Sequence, residues 1–172
     1  NGRVDIYTSL QKLKDISFDL KCFGKLIKMP LDFEDVVYYG RGDIENYEDI
    51  KEHAPIGIYK DKATNFFVKH PKPQLSGNRI DVRYAMVLNN KGQGLMFSAI
   101  KNPFNFSVGL YPDSVINSSK NPEDLVSFDS LYVRLWGEFE GVGSFGKGVM
   151  EQYKLEHKEV YAFGFSMLPY TR

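Results

Sequence analysis

The sequence is poor in cysteine and tryptophan, with one residue of each. The single thiol, Cys22, excludes an internal disulfide framework and any multi-cysteine metal site. Net charge is lacking as well, because 22 lysine and arginine residues balance 22 aspartate and glutamate residues. Nucleic-acid binding requires a basic footprint, so we expect neither a nucleic-acid partner nor attachment to an anionic membrane.

Long hydrophobic runs are missing too, since no apolar stretch approaches the roughly 20 residues that span a bilayer. The histidines, His53, His70 and His157, are scattered without the spacing of a metal-ligand set. The glycine-rich segments 40–42 and 141–143 do not fit a phosphate-loop pattern, and the sequence contains no G-x-S-x-G elbow. We therefore expect no metal, no cofactor and no nucleophilic triad in this chain.

Aromatic residues are abundant, at 15% of the sequence. They fit pleated, half-buried surfaces and so favour β-structure. Residues 80–88 alternate, 89–92 are typical of a turn, and 94–98 predict the returning strand of a hairpin. One face of the first strand is expected to carry Ile80, Val82, Tyr84 and Met86.

Further strands are predicted at 104–110 and 161–167, where apolar residues again alternate. Residues 131–136 are apolar on both faces, as expected for a central strand, and 121–125 carry the signals of a short helix. Many short strands predict one all-β domain spanning 1–172, a sandwich or a barrel. The sequence starts at Asn1 without a methionine, so it is expected to be an excerpt of a longer chain.

Paired carboxylates are the remaining sign of chemistry, because glycoside hydrolysis uses two carboxyl groups. Glu138 with Glu140, and Asp43 with Glu45, stand two residues apart, which on a strand places both side chains on one face. A solvated strand face or a turn explains the same spacing. We assign no catalytic residue to the chain.

Several motifs in series resemble family 2 β-galactosidases. Residues 39–49 read YGRGDIENYED, and 73–84 read PQLSGNRIDVRY. They are similar to that family's Y-G-x-G-P-x-E-N-Y-x-D and P-Q-E-x-G-N-R, D-V-R-W segments. Residues 104–107, the glycines of 141–143 and the closing strand at 161–169 match in the same order. The resemblance covers the chain from about residue 30 to its end.

This resemblance implies the C-terminal, small-chain domain of such an enzyme, an antiparallel super-sandwich of the galactose-mutarotase-like kind. The family domain is longer on its N-terminal side, so residues 1–172 are expected to be an N-terminally incomplete portion of it. Family members place the catalytic glutamates in a separate barrel, and a complete barrel needs about 250 residues. The isolated chain is therefore expected to be inactive. Its expected partners are a β-galactoside or related carbohydrate, the barrel and other domains of the parent enzyme, and, in an oligomer, further subunits.

The sequence departs from the family pattern at Leu75, Asp43, Ile50 and Asn121, and at 144–148, where the family has G-D-D-S-W. These departures suggest that the fold persists while galactoside recognition is altered. The residues expected to contact a sugar are Asn78, Arg79, Glu138, Phe145 and Lys147. Asn78 and Arg79 could instead fix a turn, and Lys147 could simply face water.

Two rival functions stay open at this point. One is a stand-alone carbohydrate-binding module with the same sandwich, and the other is a structural or oligomerisation domain. A large apolar docking face without sugar binding favours the accessory or structural role over the binding module. The family resemblance favours a bacterial cytoplasmic location over a periplasmic or secreted one.

Overall fold

The computed structural model describes residues 2–13, 20–143 and 147–172. Within them, antiparallel strands form two facing sheets, as predicted. The strands are β1 Val4–Gln11, β2 Cys22–Met29, β3 Asp35–Arg41, β4 Ile56–Lys62, β5 Arg79–Val82, β6 Tyr84–Leu88, β7 Gln93–Ala99, β8 Phe104–Gly109, β9 Leu131–Phe139 and β10 Val160–Thr171. The helices are α1 Ala63–Phe66 and α2 Asp113–Ser118, with 3₁₀ turns at Pro122–Asp124 and Glu151–Tyr153.

The six-stranded sheet has the order β1-β10-β7-β6-β3-β4, and the four-stranded sheet has the order β2-β9-β8-β5. The core lies between them because each strand turns its alternate apolar residues inward. On β3, Val36 and Tyr38 are buried, while Val37 between them is half-exposed. Rings from both sheets and from α1 meet in this layer, as where Phe66 stacks edge-on against Phe106 at 5.7 Å.

The predicted central strand is confirmed by β9, which lies between β2 and β8 and is buried from Leu131 to Trp136. Its outer face is covered by the α2 segment rather than by solvent. Arg134 donates to Asp113 Oδ1 at 2.7 Å and to the backbone oxygen of Tyr111 at 2.6 Å. A charged side chain can therefore lie at 3% exposure in the middle of an apolar strand.

The hairpin at 88–94 is confirmed, and so is the short helix after Asn121, which is a single 3₁₀ turn with a capping box. In the hairpin turn the backbone N–H of Gly92 donates to the oxygen of Asn89 at 2.9 Å. Gly92 has a φ of +73°, a conformation that glycine adopts without the steric cost of a Cβ.

The predicted continuous face across 80–86 is wrong, because the segment changes sheets. Asp81 has a φ of +57° and lies at an irregularity inside β5, where the Arg41 guanidinium holds its carboxylate at 2.7 Å. The strand then breaks at Arg83, between β5 and β6. Ile80 and Val82 are both buried on the four-stranded sheet, and Val82 belongs to the core between the sheets. Beyond the break β6 belongs to the six-stranded sheet, and there the residues outside the predicted face, Ala85 and Val87, are the fully buried ones. Their neighbours Tyr84 and Met86 are half-exposed on the outer side.

That outer side of the six-stranded sheet is unusually apolar. Register aligns Val37, Met86, Met96 and Leu168 in one row across β3, β6, β7 and β10. A second row aligns Ile58, Tyr39 and Tyr84 across β4, β3 and β6. We call these seven residues the outer apolar face. An antiparallel sheet with one solvated side normally alternates apolar and polar residues, so this face is atypical of a solvent-facing surface.

Candidate functional site

The three motifs singled out in the sequence meet at one end of the sandwich. The connection between β3 and β4, residues 42–55, contacts both the 76–80 segment and the 141–143 turn. This convergence could not be seen from spacing, because the segments are up to 94 residues apart. We call the three segments together the motif cluster.

Asn46 is the buried centre of the cluster, with 0% exposure. Its Nδ2 donates to the backbone oxygens of Arg41 and Ile44, at 3.2 and 2.9 Å, and shapes its own loop. Its Oδ1 accepts the backbone N–H of Ile80 at 2.8 Å, and its backbone N–H donates to the oxygen of Asn78 at 2.9 Å. One amide side chain and one peptide unit thus tie the first motif to the second.

Glu45 makes a second link between the same two segments. Its Oε2 accepts the backbone N–H of Gly77 at 2.9 Å and the hydroxyl of Tyr47 at 3.0 Å. Its Oε1 lies 3.3 Å from Nε2 of His70. Burial first, and then the negative charge of Glu45, raise the pKa of the Tyr47 hydroxyl. Tyr47 therefore stays a neutral donor to Glu45.

Asn78 and Arg79, both expected to contact a sugar, are each only 3% exposed. Asn78 donates from Nδ2 to the backbone oxygen of Asn46 and to Oδ1 of Asn105, at 3.1 and 3.2 Å. Among the described residues, its Oδ1 atom accepts no hydrogen bond. The side chain thus joins the first two motifs to β8.

The guanidinium of Arg79 lies across the inside of the cluster. It donates to the Tyr38 hydroxyl and to backbone oxygens of Gly77, Asn78 and Asp43, at 2.8 to 3.2 Å. It also lies 4.6 Å from the centre of the Phe66 ring, which favours a cation. The positive charge of Arg79 is therefore stabilised by backbone and hydroxyl dipoles and by an aromatic face. From its buried position the side chain holds the loops of the cluster in place.

Asp49 connects the first motif to the third. Its Oδ1 accepts the backbone N–H of Val142 at 3.1 Å, and its Oδ2 accepts that of Gly143 at 2.8 Å. The neighbouring Gly141 has no room for a side chain, because an added Cβ would lie 2.6 Å from the Asp49 carboxyl carbon. Tyr47 packs beside this contact, with its ring 5.9 Å from that of Phe139.

The Glu138 and Glu140 carboxylates each have a lysine neighbour. Glu138 Oε1 lies 2.7 Å from Nζ of Lys158, and that hydrogen bond raises the pKa of the lysine. Glu140 is 8% exposed, with its Oε1 3.7 Å from Nζ of Lys21. Both carboxylates of this sequence pair thus lie beside lysine ammonium groups.

The remaining expected site residues lie on the segment that follows the 141–143 turn. Lys147 is exposed, and Phe145 lies outside the described residues. The backbones of Gly143 and Gly148 approach closely, because a Cβ on Gly143 would lie 2.5 Å from the Gly148 oxygen. Gly148, the neighbour of Lys147, therefore lies next to the contact between Asp49 and Gly143.

Sequence reasoning missed Asn46 and Asp49 as functional positions, although both stand in the quoted 39–49 motif. The available signal was chemical. Asparagine and aspartate in a loop are the residue types whose side chains most often bind backbone N–H groups. In the described part of the chain, no cluster of histidine, cysteine and carboxylate side chains could hold a metal, and no helix is long and apolar enough to cross a membrane.

Comparison with known proteins identifies the family of the chain. The family model described as "Beta galactosidase small chain" matches residues 1–167. A β-galactosidase of Halalkalibacterium halodurans is 28% identical over 151 residues, and one of Streptococcus thermophilus is 27% identical over 150, each covering 86% of this chain. A β-galactosidase of Lactobacillus delbrueckii subsp. bulgaricus is 31% identical over 140 residues, which is 80% of this chain.

The chain spans about 15% of the length of the first two relatives and 14% of the third, which are much larger polypeptides. The matched region includes all three segments of the motif cluster and strands of both sheets. This chain belongs to the β-galactosidase small-chain family.

Proposed function

We propose that the chain is an accessory domain of a β-galactosidase-like glycoside hydrolase. It packs against another domain of that enzyme and presents the motif cluster at a sugar site whose catalytic glutamates lie in a separate barrel. The observation that carries this proposal is the convergence of three distant motifs, held by Asn46, Glu45 and Asp49. Such cross-links fix backbone geometry, which is what a preorganised binding surface requires.

The expected sugar-contact residues divide into two roles in this proposal. Asn78 and Arg79 are buried, so they support the site by holding the loops above them. Glu138 and Lys147 are accessible enough to exchange hydrogen bonds with hydroxyl groups, and Phe145 would supply the ring on which a sugar face stacks. Because Glu138 is paired with Lys158, a sugar hydroxyl would have to share that carboxylate with the lysine.

The outer apolar face supports an accessory role over a stand-alone module. Ile58 is 63% exposed, and the other six members are half-buried. The Arg83 guanidinium lies over the Tyr39 ring, 5.2 Å from its centre. Four adjacent strands cover about 14 Å at the usual strand spacing, so the Val37 to Leu168 row alone is wide enough to seat a helix. A patch of this kind on a small domain marks an interaction surface.

Binding of a hydrophobic dye measures this face directly. We expect the purified chain to bind the dye strongly and a variant with Ile58→Gln and Met96→Gln to lose at least about half of the signal, in proportion to the apolar area removed. A matched control, Leu31→Gln with Val126→Gln, changes exposed apolar residues outside both sheets and should leave the signal unchanged. Equal dye binding by all three proteins would contradict a docking role for the face.

Sedimentation distinguishes two occupants of the outer apolar face, another domain of the enzyme and a second copy of this chain. A monomeric chain fits an interface with another domain of the enzyme. A dimer that the Ile58→Gln, Met96→Gln variant dissociates would instead make this a structural, oligomerising domain.

A hydrolysis assay tests whether the isolated chain is inactive. The chain should release no product from a chromogenic β-galactoside, and measurable turnover that scales with the chain's concentration would overturn the accessory role.

A further inference from the structure

A cleft of about 540 Å³ lies at the opposite end of the six-stranded sheet from the motif cluster. It is bounded by the start of β3, the end of β4, the β6–β7 turn and the end of β10. The motif cluster follows Arg41 at the far end of β3, so the length of that strand, about 20 Å, separates the two places. A ligand here would be independent of the sugar site.

Four cationic side chains line this cleft, and three of them stand on separate elements besides the ion-paired Lys62: Lys60 on β4, Lys91 in the turn and Arg172 after β10. Within residues 2–13, 20–143 and 147–172, none of these three has an acidic partner within 4.0 Å. Cations without a counter-charge attract an anion to the cleft that they line.

The acidic groups of the cleft are already engaged. Asp35 lies 2.8 Å from Nζ of Lys62, which also pairs with Glu34. Asp61 accepts the backbone N–H of Lys62 and Nδ2 of Asn65, both at 2.7 Å. Asp61 keeps its negative charge, because both of its donors are uncharged. The lining nevertheless holds four cationic side chains, Lys60, Lys62, Lys91 and Arg172, against the carboxylates of Asp35 and Asp61, so positive charge is in excess along the cleft.

The backbone at two of these cations, Lys91 and Arg172, is fixed by hydrogen bonds. Oδ1 of Asn89 accepts the backbone N–H groups of Lys91 and Gln93 at 3.0 Å each, which fixes the turn. The backbone N–H of Arg172 donates to the Gly92 oxygen at 3.0 Å. Arg172 packs so close to Gly92 that a Cβ on the glycine would lie 2.9 Å from the arginine Cβ. Preorganised cations lose less entropy on binding than free side chains.

We propose that this cleft binds a small phosphate-bearing anion. A phosphate offers several charged acceptor oxygens at once, and arginine and lysine are the side chains that bind it best. The volume exceeds that of a bare phosphate ion and suits a phosphomonoester with an organic group of sugar size. Asn90 at the rim could donate to hydroxyl groups of that portion.

Amide NMR titration at constant ionic strength tests the proposal, with inorganic phosphate and glucose 6-phosphate as probes and sodium chloride as reference. We expect saturable shifts at the amides of Lys91, Gly92 and Arg172. If glucose 6-phosphate binds more tightly than inorganic phosphate, the ligand is a phosphomonoester. If the two probes bind with equal affinity, the ligand is free phosphate.

Two double variants of the same charge change give the control. Lys60→Gln with Lys91→Gln should weaken phosphate binding by about tenfold or more, the loss expected when charge-assisted contacts are removed. Lys28→Gln with Lys101→Gln alters two exposed lysines outside the cleft and should bind as the unmodified chain does. Shifts no larger than those in sodium chloride, or the same loss in both variants, would overturn the proposal.

Discussion

Removing the Asp49 carboxylate should release the 141–143 turn from the rest of the motif cluster. The carboxylate accepts two backbone N–H groups, at 3.1 Å from Val142 and at 2.8 Å from Gly143. A hydrogen bond to a charged group contributes about 1.5 to 3 kcal/mol when it is shielded, and less where water competes. The Gly143 contact is partly buried and the Val142 contact is exposed, so Asp49→Ala should cost about 2 to 3 kcal/mol.

Urea unfolding followed by circular dichroism measures the global loss, and amide hydrogen exchange measures the local one. Exchange at Val142 and Gly143 should accelerate more than exchange in β9. Asp49→Asn keeps one acceptor oxygen but turns an NH₂ group toward the second N–H, so it should lose nearly as much stability. The matched control Asp32→Asn removes a charge from an exposed position and should change stability by less than about 0.5 kcal/mol.

Unchanged exchange at Val142 and Gly143 in Asp49→Ala would refute the reasoning, whatever happens to the global stability. So would an Asp32→Asn variant that loses as much as Asp49→Ala, because the effect would then come from net charge alone. The neighbouring glycine gives a second approach to the same contact. Gly141→Ala places a methyl group 2.6 Å from the carboxyl carbon and should reproduce the faster exchange.

Three other predictions follow from the interior of the cluster. Arg79→Lys should lower the free energy of unfolding by about 2 to 4 kcal/mol, because the lysine cannot reach all four oxygens that the guanidinium reaches. The midpoint of urea unfolding measures this loss, and a loss below about 0.5 kcal/mol would contradict the prediction. Gly77→Ala should destabilise the chain more than Gly148→Ala. Of these two positions, only Gly77 would place the Cβ against a backbone oxygen, that of Phe66 at 1.9 Å. Equal losses of stability in urea unfolding would count against this close approach of the two backbones. Burial raises the pKa of Tyr38 to about 12. An unfolded tyrosine ionises near pH 10, so between about pH 10 and 12 the folded chain retains a proton that the unfolded chain loses, and stability should fall by about 1.4 kcal/mol per pH unit. Tyr38→Phe removes this contribution, and an unchanged slope of urea midpoint against pH in that variant would contradict the prediction.

The sequence predicted those parts of the fold that depend on local pattern. The turn at 89–92 combines asparagine with a glycine at positive φ, and β9 is apolar on both faces, so each carries its own signal. The break at Arg83, two residues after the irregularity at Asp81, carries none. Alternation continues through it in the sequence, while the chain passes from one sheet to the other. Such a change of sheet depends on tertiary contacts, here the ion pair with Arg41, which no local window contains.

The motif cluster was predictable in its parts but not in its connections. The segments were noticed because they resemble a family pattern, yet the roles of Asn46 and Asp49 depend on partners 34 and 94 residues away. The same limit applies to Asn78 and Arg79. Their side-chain chemistry suits a sugar, and burial beneath the loops cannot be read from the residue types alone.

Amide NMR titration of the chain with galactose and lactose is the most direct test of the proposed accessory role. At about 10 mM sugar, a binding module with a millimolar dissociation constant would be mostly occupied. We predict a well-dispersed spectrum with no saturable shifts, because in the proposed accessory role the sugar site is complete only when the barrel of the parent enzyme is attached. Saturable shifts clustered at Asn78, Glu138 and Lys147 would contradict this and establish the chain as a carbohydrate-binding module in its own right.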